Sequence, residues 1–254
     1  MSEKTSPIES VDRALRLLVF LRDSGPKSVS EAAEMLNVAP STAHRLLGAL
    51  TFRGFAVQSH DRRYRVGSMM SNSGTETFPI QMLRQLAQEG LLWLQQQVGE
   101  TVQLMVMRAG NIQFIDGVEC TQTLRVGMRV GDQMPAFVSA GGKAILARYT
   151  NTELEELYRG GLPKWPTGRI STMQELKRSM TKIRRSEFAT NFEETEQGVV
   201  GLGVSIDDSE GCPVAALTTA TPSIRFDRSA MPEHVAALHQ GASMITHQLS
   251  IGTF

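Results

Sequence analysis

Cysteine, aromatic residues and long apolar runs are all scarce in this chain of 254 residues. Its two cysteines, Cys120 and Cys212, are too few for a disulfide framework, which predicts a protein of the reducing cytoplasm. No apolar run reaches the length that spans a membrane, and the amino terminus lacks the apolar core of a signal peptide. We therefore expect a cytoplasmic protein with no membrane partner.

The chain also lacks an excess of charge, since 26 basic residues balance 26 acidic ones. A net charge of zero argues against a general nucleic-acid packaging protein. The charge is unevenly spread, however: residues 1–70 hold 10 basic and 7 acidic residues, and the remainder holds 16 and 19. The sign of this difference favours DNA binding at the amino-terminal end.

Sequence patterns of catalysis are missing as well. There is no HExxH and no G-x-S-x-G. Gly142-Lys143 has the last two positions of a phosphate-binding loop, but Ala144 replaces the hydroxyl residue that would hold Mg²⁺, and Phe137 stands where the first glycine would be. We expect neither catalytic residues nor a bound cofactor.

Acidic pairs and histidines do not suggest a metal site either. Glu193-Glu194 and Asp207-Asp208 lie in predicted turns, where solvation is the simplest explanation for paired acids. His234 and His239 are five residues apart and so do not share a helical face. We therefore predict no metal ligands.

The first 67 residues show the pattern of three helices. The apolar spacing predicts helices over Val11–Arg22, Ser30–Leu36 and Pro40–Leu50. Ser28 and Glu31 have the spacing of a capping box at the start of the second helix. The predicted buried stripe of the first helix consists of Val11, Ala14, Leu15, Leu18 and Leu21.

The third helix has a polar outer face at its amino-terminal end. Because recognition helices present such residues to base edges, Arg45 is a candidate for paired hydrogen bonds to guanine. Hydroxyl groups there suit phosphate oxygens. The predicted DNA-contacting residues of this helix are Ser41, Thr42, His44 and Arg45.

A basic hairpin is predicted directly after these helices. Phe55–Val57 and Tyr64–Val66 have the composition of two short paired strands. Arg62, Arg63 and Arg65 lie near the tip, where they suit the phosphate backbone or a minor groove. Three helices followed by such a wing predict a winged helix-turn-helix that binds double-stranded DNA.

The rest of the chain predicts a second domain of α+β class. The small polar residues 68–78 mark a boundary, and a helix is expected over Pro79–Val98. Beyond it, strand patterns alternate with helical ones, which predicts a mostly antiparallel sheet with helices before and after it. The predicted strands are residues 102–106, 112–114, 123–126, 198–206 and 213–220, and the predicted helices are residues 141–148, 152–158, 172–186 and 232–249.

An ordered set of short motifs resembles the IclR family of bacterial transcriptional regulators, named for the isocitrate lyase regulator. The motifs are SVDRAL at 10–15, STAHRLL at 41–47, RGF at 53–55, YRVG at 64–67, GETV at 99–102, VG at 130–131 through Pro135 to GKAILA at 142–147, EETEQGV at 193–199 and ALT at 216–218. The resemblance covers nearly the whole chain.

This resemblance implies a domain order and an effector site. It implies a winged helix-turn-helix over 1–67, a partly helical linker over 68–82, and a GAF-like effector-binding and oligomerisation domain over 83–254. It implies a small organic or aromatic acid as effector, and homodimers or dimers of dimers on a roughly palindromic operator. The implied effector-binding residues are Met134, Ser139, Ala140, Gly141, Asn191, Val199, Gly201, Thr218 and Ala220.

Two alternatives remain open. The glycines between Ser139 and Lys143 could expose backbone amides as an anion site, or could only let a helix pack closely on the sheet, with Lys143 in solvent. The second domain could bind an effector or could serve only for dimerisation. Family habit favours a repressor over an activator.

Overall fold

The computed structural model describes residues 9–53, 55–58, 62–67 and 79–251. These residues form two compact units, one ending before residue 68 and the other starting at residue 79. Most of the predicted linker, residues 68–78, lies outside the described residues. Its last residues, 80–82, are the first turn of a continuous helix of the second unit.

The first unit has the predicted order of three helices and a hairpin. These are α1 (Glu9–Ser24), α2 (Val29–Leu36), α3 (Pro40–Phe52), β1 (Ala56–Gln58) and β2 (Tyr64–Val66). The capping box is confirmed, because Glu31 N donates to Ser28 Oγ and Ser28 N donates to the Glu31 carboxylate. Asn37 adopts a left-handed conformation that ends α2, and Pro40 is the first residue of α3.

The buried face of α1 differs from the predicted stripe. Val11 and Leu15 are 52% and 58% exposed, whereas Leu17, which the stripe left out, is fully buried. Leu18 and Leu21 are buried as predicted, and Ala14 packs against the same core. A helix with apolar side chains on two adjacent stripes does not specify by itself which stripe packs.

The second unit contains the predicted helices and four of the five predicted strands as sheet members, with shifted ends. Its helices are α4 (Ile80–Val98), α5 (Ala140–Leu146), α6 (Asn151–Leu157), α7 (Met173–Ser186) and α8 (Met231–Ile251). Its strands are β3 (Thr101–Arg108), β4 (Asn111–Val118), β5 (Gln133–Pro135), β6 (Ala189–Phe192), β7 (Val199–Asp207) and β8 (Pro213–Pro222). The predicted strand at 112–114 is the first half of β4.

One predicted strand is wrong and two strands were not predicted. Residues 123–126 lie in an irregular loop. The side chains of Thr101 and Arg225 donate hydrogen bonds to carbonyl groups of this loop, which takes the place of pairing with a neighbouring strand. The two strands that were missed, β5 and β6, have three and four residues and lie at the two edges of the sheet. Segments this short carry too little alternation to predict a strand.

The six strands form one sheet in the order β5-β4-β3-β8-β7-β6, and every neighbouring pair is antiparallel. One face packs on α4 and α8, with the β3 side chains Val102, Leu104 and Val106 in that core. The opposite face packs on α5, α6 and α7 and receives Met105 and Met107. Successive β3 side chains therefore serve two different cores.

Glycines bring α5 against the sheet and against the turn before it. A Cβ at Gly142 would lie 2.2 Å from the carbonyl oxygen of Ala136, and a Cβ at Gly203 of β7 would lie 2.7 Å from the amide of Gly141. All seven residues of α5 are buried. Of the two interpretations of these glycines, the structure favours close packing of helix on sheet.

We predict that Gly142→Ala destabilises the second unit by about 1–3 kcal/mol, because the methyl group meets backbone that cannot rotate away. Urea unfolding followed by circular dichroism measures the change. Gly160→Ala is the matched control, since a Cβ there meets nothing within 4 Å, and it should change stability by less than about 0.5 kcal/mol. Equal losses for both variants would contradict the packing argument.

Candidate DNA-binding surface and ligand cavity

The start of α3 presents the predicted polar residues to the outside. Ser41, His44 and Arg45 are exposed and Thr42 is partly exposed, while Ala43 on the inner side is fully buried. The capping box of α2 and the turn at Asn37 fix the angle at which α3 leaves α2. The four predicted residues therefore lie on one outward surface at the amino-terminal end of a rigid helix.

The hairpin gives its three arginines different surroundings. Arg65 on β2 and Arg62, which has a φ of 63°, are exposed. Arg63 instead donates from Nη1 to the carbonyl oxygen of Pro26 at 3.0 Å and lies 3.5 Å from the Glu31 carboxylate. Arg63 thus ties the hairpin to the start of α2, which the sequence did not predict, although it is exposed like Arg62 and Arg65.

A cavity of about 40 Å³ opens on the α5 side of the sheet. It holds roughly three water molecules. Seven of the nine residues implied as effector-binding line it. They are Ser139, Ala140, Asn191, Val199, Gly201, Thr218 and Ala220.

Two of the implied residues do not line the cavity. Met134 is buried in β5 among apolar side chains of the second core. Gly141 lies behind the wall, where an added Cβ would be 2.5 Å from Met105 Sδ and 2.7 Å from Thr218 Cγ2. Gly141 itself does not line the cavity. Because it has no side chain, Met105 and Thr218, which do line the cavity, can pack closely against it.

Seven lining residues were missed by the sequence analysis. They are Gln103, Met105, Phe114, Val126, Arg129, Thr195 and Thr219. A signal existed for Gln103, because a polar residue between apolar neighbours of a buried strand marks a face with a polar partner. Gln103 is opposite Thr218 in the β3–β8 register, so both lie on the cavity face. Arg129 lies in the loop that leads into β5, and no local pattern placed it here.

The polar lining groups are held by hydrogen bonds. Ser139 caps α5, since its Oγ accepts from Gly142 N at 2.9 Å. Asn191 Oδ1 accepts from Glu194 N at 2.8 Å, and Thr195 Oγ1 donates to Val138 O at 3.0 Å. The Thr195–Val138 bond joins the turn between β6 and β7 to the residues directly before α5.

A buried ion pair strengthens the same connection. Lys143 Nζ lies 2.8 Å from both carboxylate oxygens of Glu194, and the two residues are only 4% and 7% exposed. Burial lowers the pKa of the Lys143 ammonium, and the Glu194 carboxylate opposes that shift. The expectation that Glu194 is solvated is wrong, as is the alternative that Lys143 lies in solvent.

The second acidic pair is also tied to protein groups. Asp207 lies 2.7 Å from Arg148 Nη2, and its partial burial raises the pKa of its carboxyl group. Asp208 Oδ1 accepts from the backbone amides of Glu210 and Cys212, both at 2.9 Å, and so closes the β7–β8 turn. Both carboxylates bind protein groups at the β7–β8 hairpin, so the expectation that this acidic pair is simply solvated is wrong.

The loop from residue 119 to 132 forms the remaining wall. Arg225 binds the buried carboxylate of Glu100 through two nitrogens, each at 2.7 Å, and also donates to Leu124 O at 2.6 Å. Thr101 Oγ1 donates to Val126 O at 2.7 Å. These contacts hold an irregular segment against β3, so Val126 and Arg129 reach the cavity.

Among the described residues, no three His, Cys, Asp or Glu side chains are grouped so that they could hold a metal ion. Within the described ranges, no helix combines the length and the apolar content needed to cross a membrane.

A winged helix-turn-helix unit followed by a sheet unit with an internal cavity defines a class of DNA-binding transcriptional regulators. The IclR helix-turn-helix domain matches residues 10–60, and the C-terminal domain of the bacterial transcriptional regulator IclR matches residues 79–247. Together these matches span most of the chain, so the chain belongs to the IclR family and is a transcriptional regulator.

Individual relatives agree with this assignment. The transcriptional repressor IclR of Escherichia coli is 26% identical over 95% of this chain and 90% of its own length. The acetate operon repressor of Salmonella typhimurium is 28% identical with the same coverage. The crystal structure of the Thermotoga maritima IclR has a TM-score of 0.61 and 31% identity, and covers 95% of this chain and 99% of its own.

We predict that Lys143→Met destabilises the protein by about 3–5 kcal/mol, because it leaves the Glu194 carboxylate buried without a partner. The double variant Lys143→Met, Glu194→Leu should recover most of that loss. Urea unfolding of the two single variants and the double variant measures the coupling. Arg159→Met, which removes an exposed pair with Glu156, is the control and should change stability by less than about 1 kcal/mol. If the loss of unfolding free energy in the double variant equalled the sum of the losses in the two single variants, the coupling would be contradicted.

Proposed function

We propose that this regulator is a repressor that releases its operator, or tightens on it, in response to a small organic acid bound in the cavity of the second unit. The observation that carries the proposal is the gathering of seven predicted residues around one cavity. Both curated relatives described above are repressors by name, which supports repression. The protein acts in the cytoplasm, where its operator is.

The α3 surface is the proposed base-reading element. Arg45 pairs with a guanine edge in the major groove, beside His44, while Ser41 and Thr42 meet phosphate oxygens. Arg62 and Arg65 meet phosphates or the adjacent minor groove. Arg63 contributes by holding the hairpin to α2, and any contact of its own with DNA is secondary.

The cavity is the proposed effector site. Its small volume and its mixture of apolar and hydroxyl side chains favour a compact acid. An IclR homologue from Microbacterium hydrocarbonoxydans, 24% identical with a TM-score of 0.61 over 97% of this chain and all of its own, was crystallised with 4-hydroxybenzoate. That ligand is an aromatic carboxylic acid, which supports an acid as the class of effector.

Coupling between the two sites requires more than one copy of the chain. We propose a homodimer, or a dimer of dimers, that places two α3 helices about one helical turn apart on a roughly palindromic operator. Domains over 1–67 and 83–254 are joined by residues 68–82, whose end continues into α4. Linkage then requires that operator DNA changes effector affinity by the same factor as effector changes operator affinity.

The alternative function is a DNA-binding dimer whose second domain only oligomerises. Thermal melting with acetate, lactate, benzoate and 4-hydroxybenzoate separates the two. A ligand that binds only the folded state must raise the melting temperature, by an amount that grows with its concentration. A melting temperature that stays constant for all four acids would favour the alternative.

We predict that Arg45→Ala weakens binding to the operator by about 1–3 kcal/mol and relaxes the preference at one base pair. Arg65→Ala should weaken binding to all sequences alike and reduce the slope of affinity against salt by about one. Selection of duplexes from a random pool defines the operator, and fluorescence anisotropy at several salt concentrations measures both variants. Arg159→Ala, in the second unit, is the control and should leave operator binding unchanged. If Arg45→Ala weakened all sequences equally, its base-reading role would be refuted.

A further inference from the structure

Arg129 is the one charged side chain among the described residues that line the cavity. Its side chain is 21% exposed and its Nη2 makes an ion pair with Glu196 Oε1. Glu196 lies in the turn between β6 and β7, and its side chain is 47% exposed. The cavity therefore has a single cationic group, and the counter-ion of that group reaches into solvent.

Several neutral hydrogen-bond donors of the lining already have protein partners. The Asn191 amide donates to Thr195 Oγ1, and the Thr195 hydroxyl donates to Val138 O at 3.0 Å. Gln103 Nε2 donates to Gly127 O at 3.3 Å. A carboxylate that enters the cavity needs N–H or O–H donors, and none of these three side chains carries a charge to attract it.

Arg129 has donors to spare. A guanidinium carries five N–H groups in a planar fork, which matches the two oxygens of a carboxylate. In the described part of the chain, Glu196 is the hydrogen-bond partner of this guanidinium, through one nitrogen. Arg129 lines a partly enclosed cavity, where a charge-assisted hydrogen bond is stronger than in water.

We propose that Arg129 binds the carboxylate of the effector in exchange for Glu196. This inference rests on the proposed effector function and names the residue that selects anionic ligands. Without effector, Glu196 neutralises Arg129, which avoids leaving a partly buried cation unpaired. With effector, the Glu196 carboxylate returns to solvent at little cost, because an exposed ion pair contributes little.

The exchange also changes how the β6–β7 turn is held. The Arg129–Glu196 pair links this turn to the 119–132 loop, and residues of both segments line the cavity. Lys143 holds the same turn through the neighbouring Glu194, and that pair does not face the effector. Effector binding therefore releases one of two ionic links on the turn while the buried one persists.

Isothermal titration of the full chain with acetate, lactate and benzoate, and with the corresponding neutral amides, tests the proposal. We expect at least one acid to bind wild-type protein, and its amide to bind more weakly. Arg129→Gln should weaken binding of that acid by about 10- to 100-fold, because a hydrogen bond to a charged group is lost. Glu196→Gln should instead tighten binding, by about two- to fivefold, because the acid no longer competes with an internal carboxylate.

Arg125→Gln is the matched control, since Arg125 pairs with Glu119 in the same loop but does not line the cavity. It should leave acid affinity unchanged. If Arg129→Gln and Glu196→Gln weakened binding of the acid by the same factor, the ion pair would only stabilise the structure around the cavity, and the proposal would be overturned. An unchanged affinity in Arg129→Gln would overturn it too while leaving the effector function intact. A wild-type protein that binds none of the acids would overturn both.

Discussion

The wall of the cavity depends on the buried ion pair between Lys143 and Glu194. Burying either charge without its partner would be strongly unfavourable, so the ion pair holds α5 against the β6–β7 turn. Around the pair, the Thr167 hydroxyl donates to Glu194 O and the Trp165 indole donates to Thr195 O. The cavity-lining side chains of Asn191, at the end of β6, and of Thr195, in the turn that follows, are therefore next to backbone whose position is fixed by residues outside the lining.

The two faces of the sheet have separate tasks. The face against α4 and α8 is an apolar core in which side chains interlock. The face against α5 is apolar at one end and polar where Gln103, Thr218 and Thr219 meet the cavity. Glycines make this possible, since Gly142 and Gly203 let backbone approach backbone. An apolar core and a partly polar cavity are thus built on the two faces of the same six strands.

Sequence reasoning succeeded where the determining interactions are local. The capping box at Ser28, the turn at Asn37 and the α3 face follow from neighbours in the chain, so the helix-turn-helix could be predicted nearly residue by residue. It failed where the structure of a segment depends on residues that are distant in the sequence. The buried stripe of α1 depends on the helices that pack against it, and the loop at 123–126 is fixed by Arg225 and Thr101, far along the chain.

The sequence by itself determined the family, most of the order of the elements and half of the residues of the cavity wall, because each of these is carried by short motifs with recognisable composition. The tertiary structure decided which charges are buried and which line the cavity. Glu194 and Glu196 are two residues apart in one turn, yet Lys143 buries the first while the second stays partly in solvent beside Arg129. Charge pairing across 51 and 67 residues is a property of the folded sheet and its loops, and no local pattern encodes it.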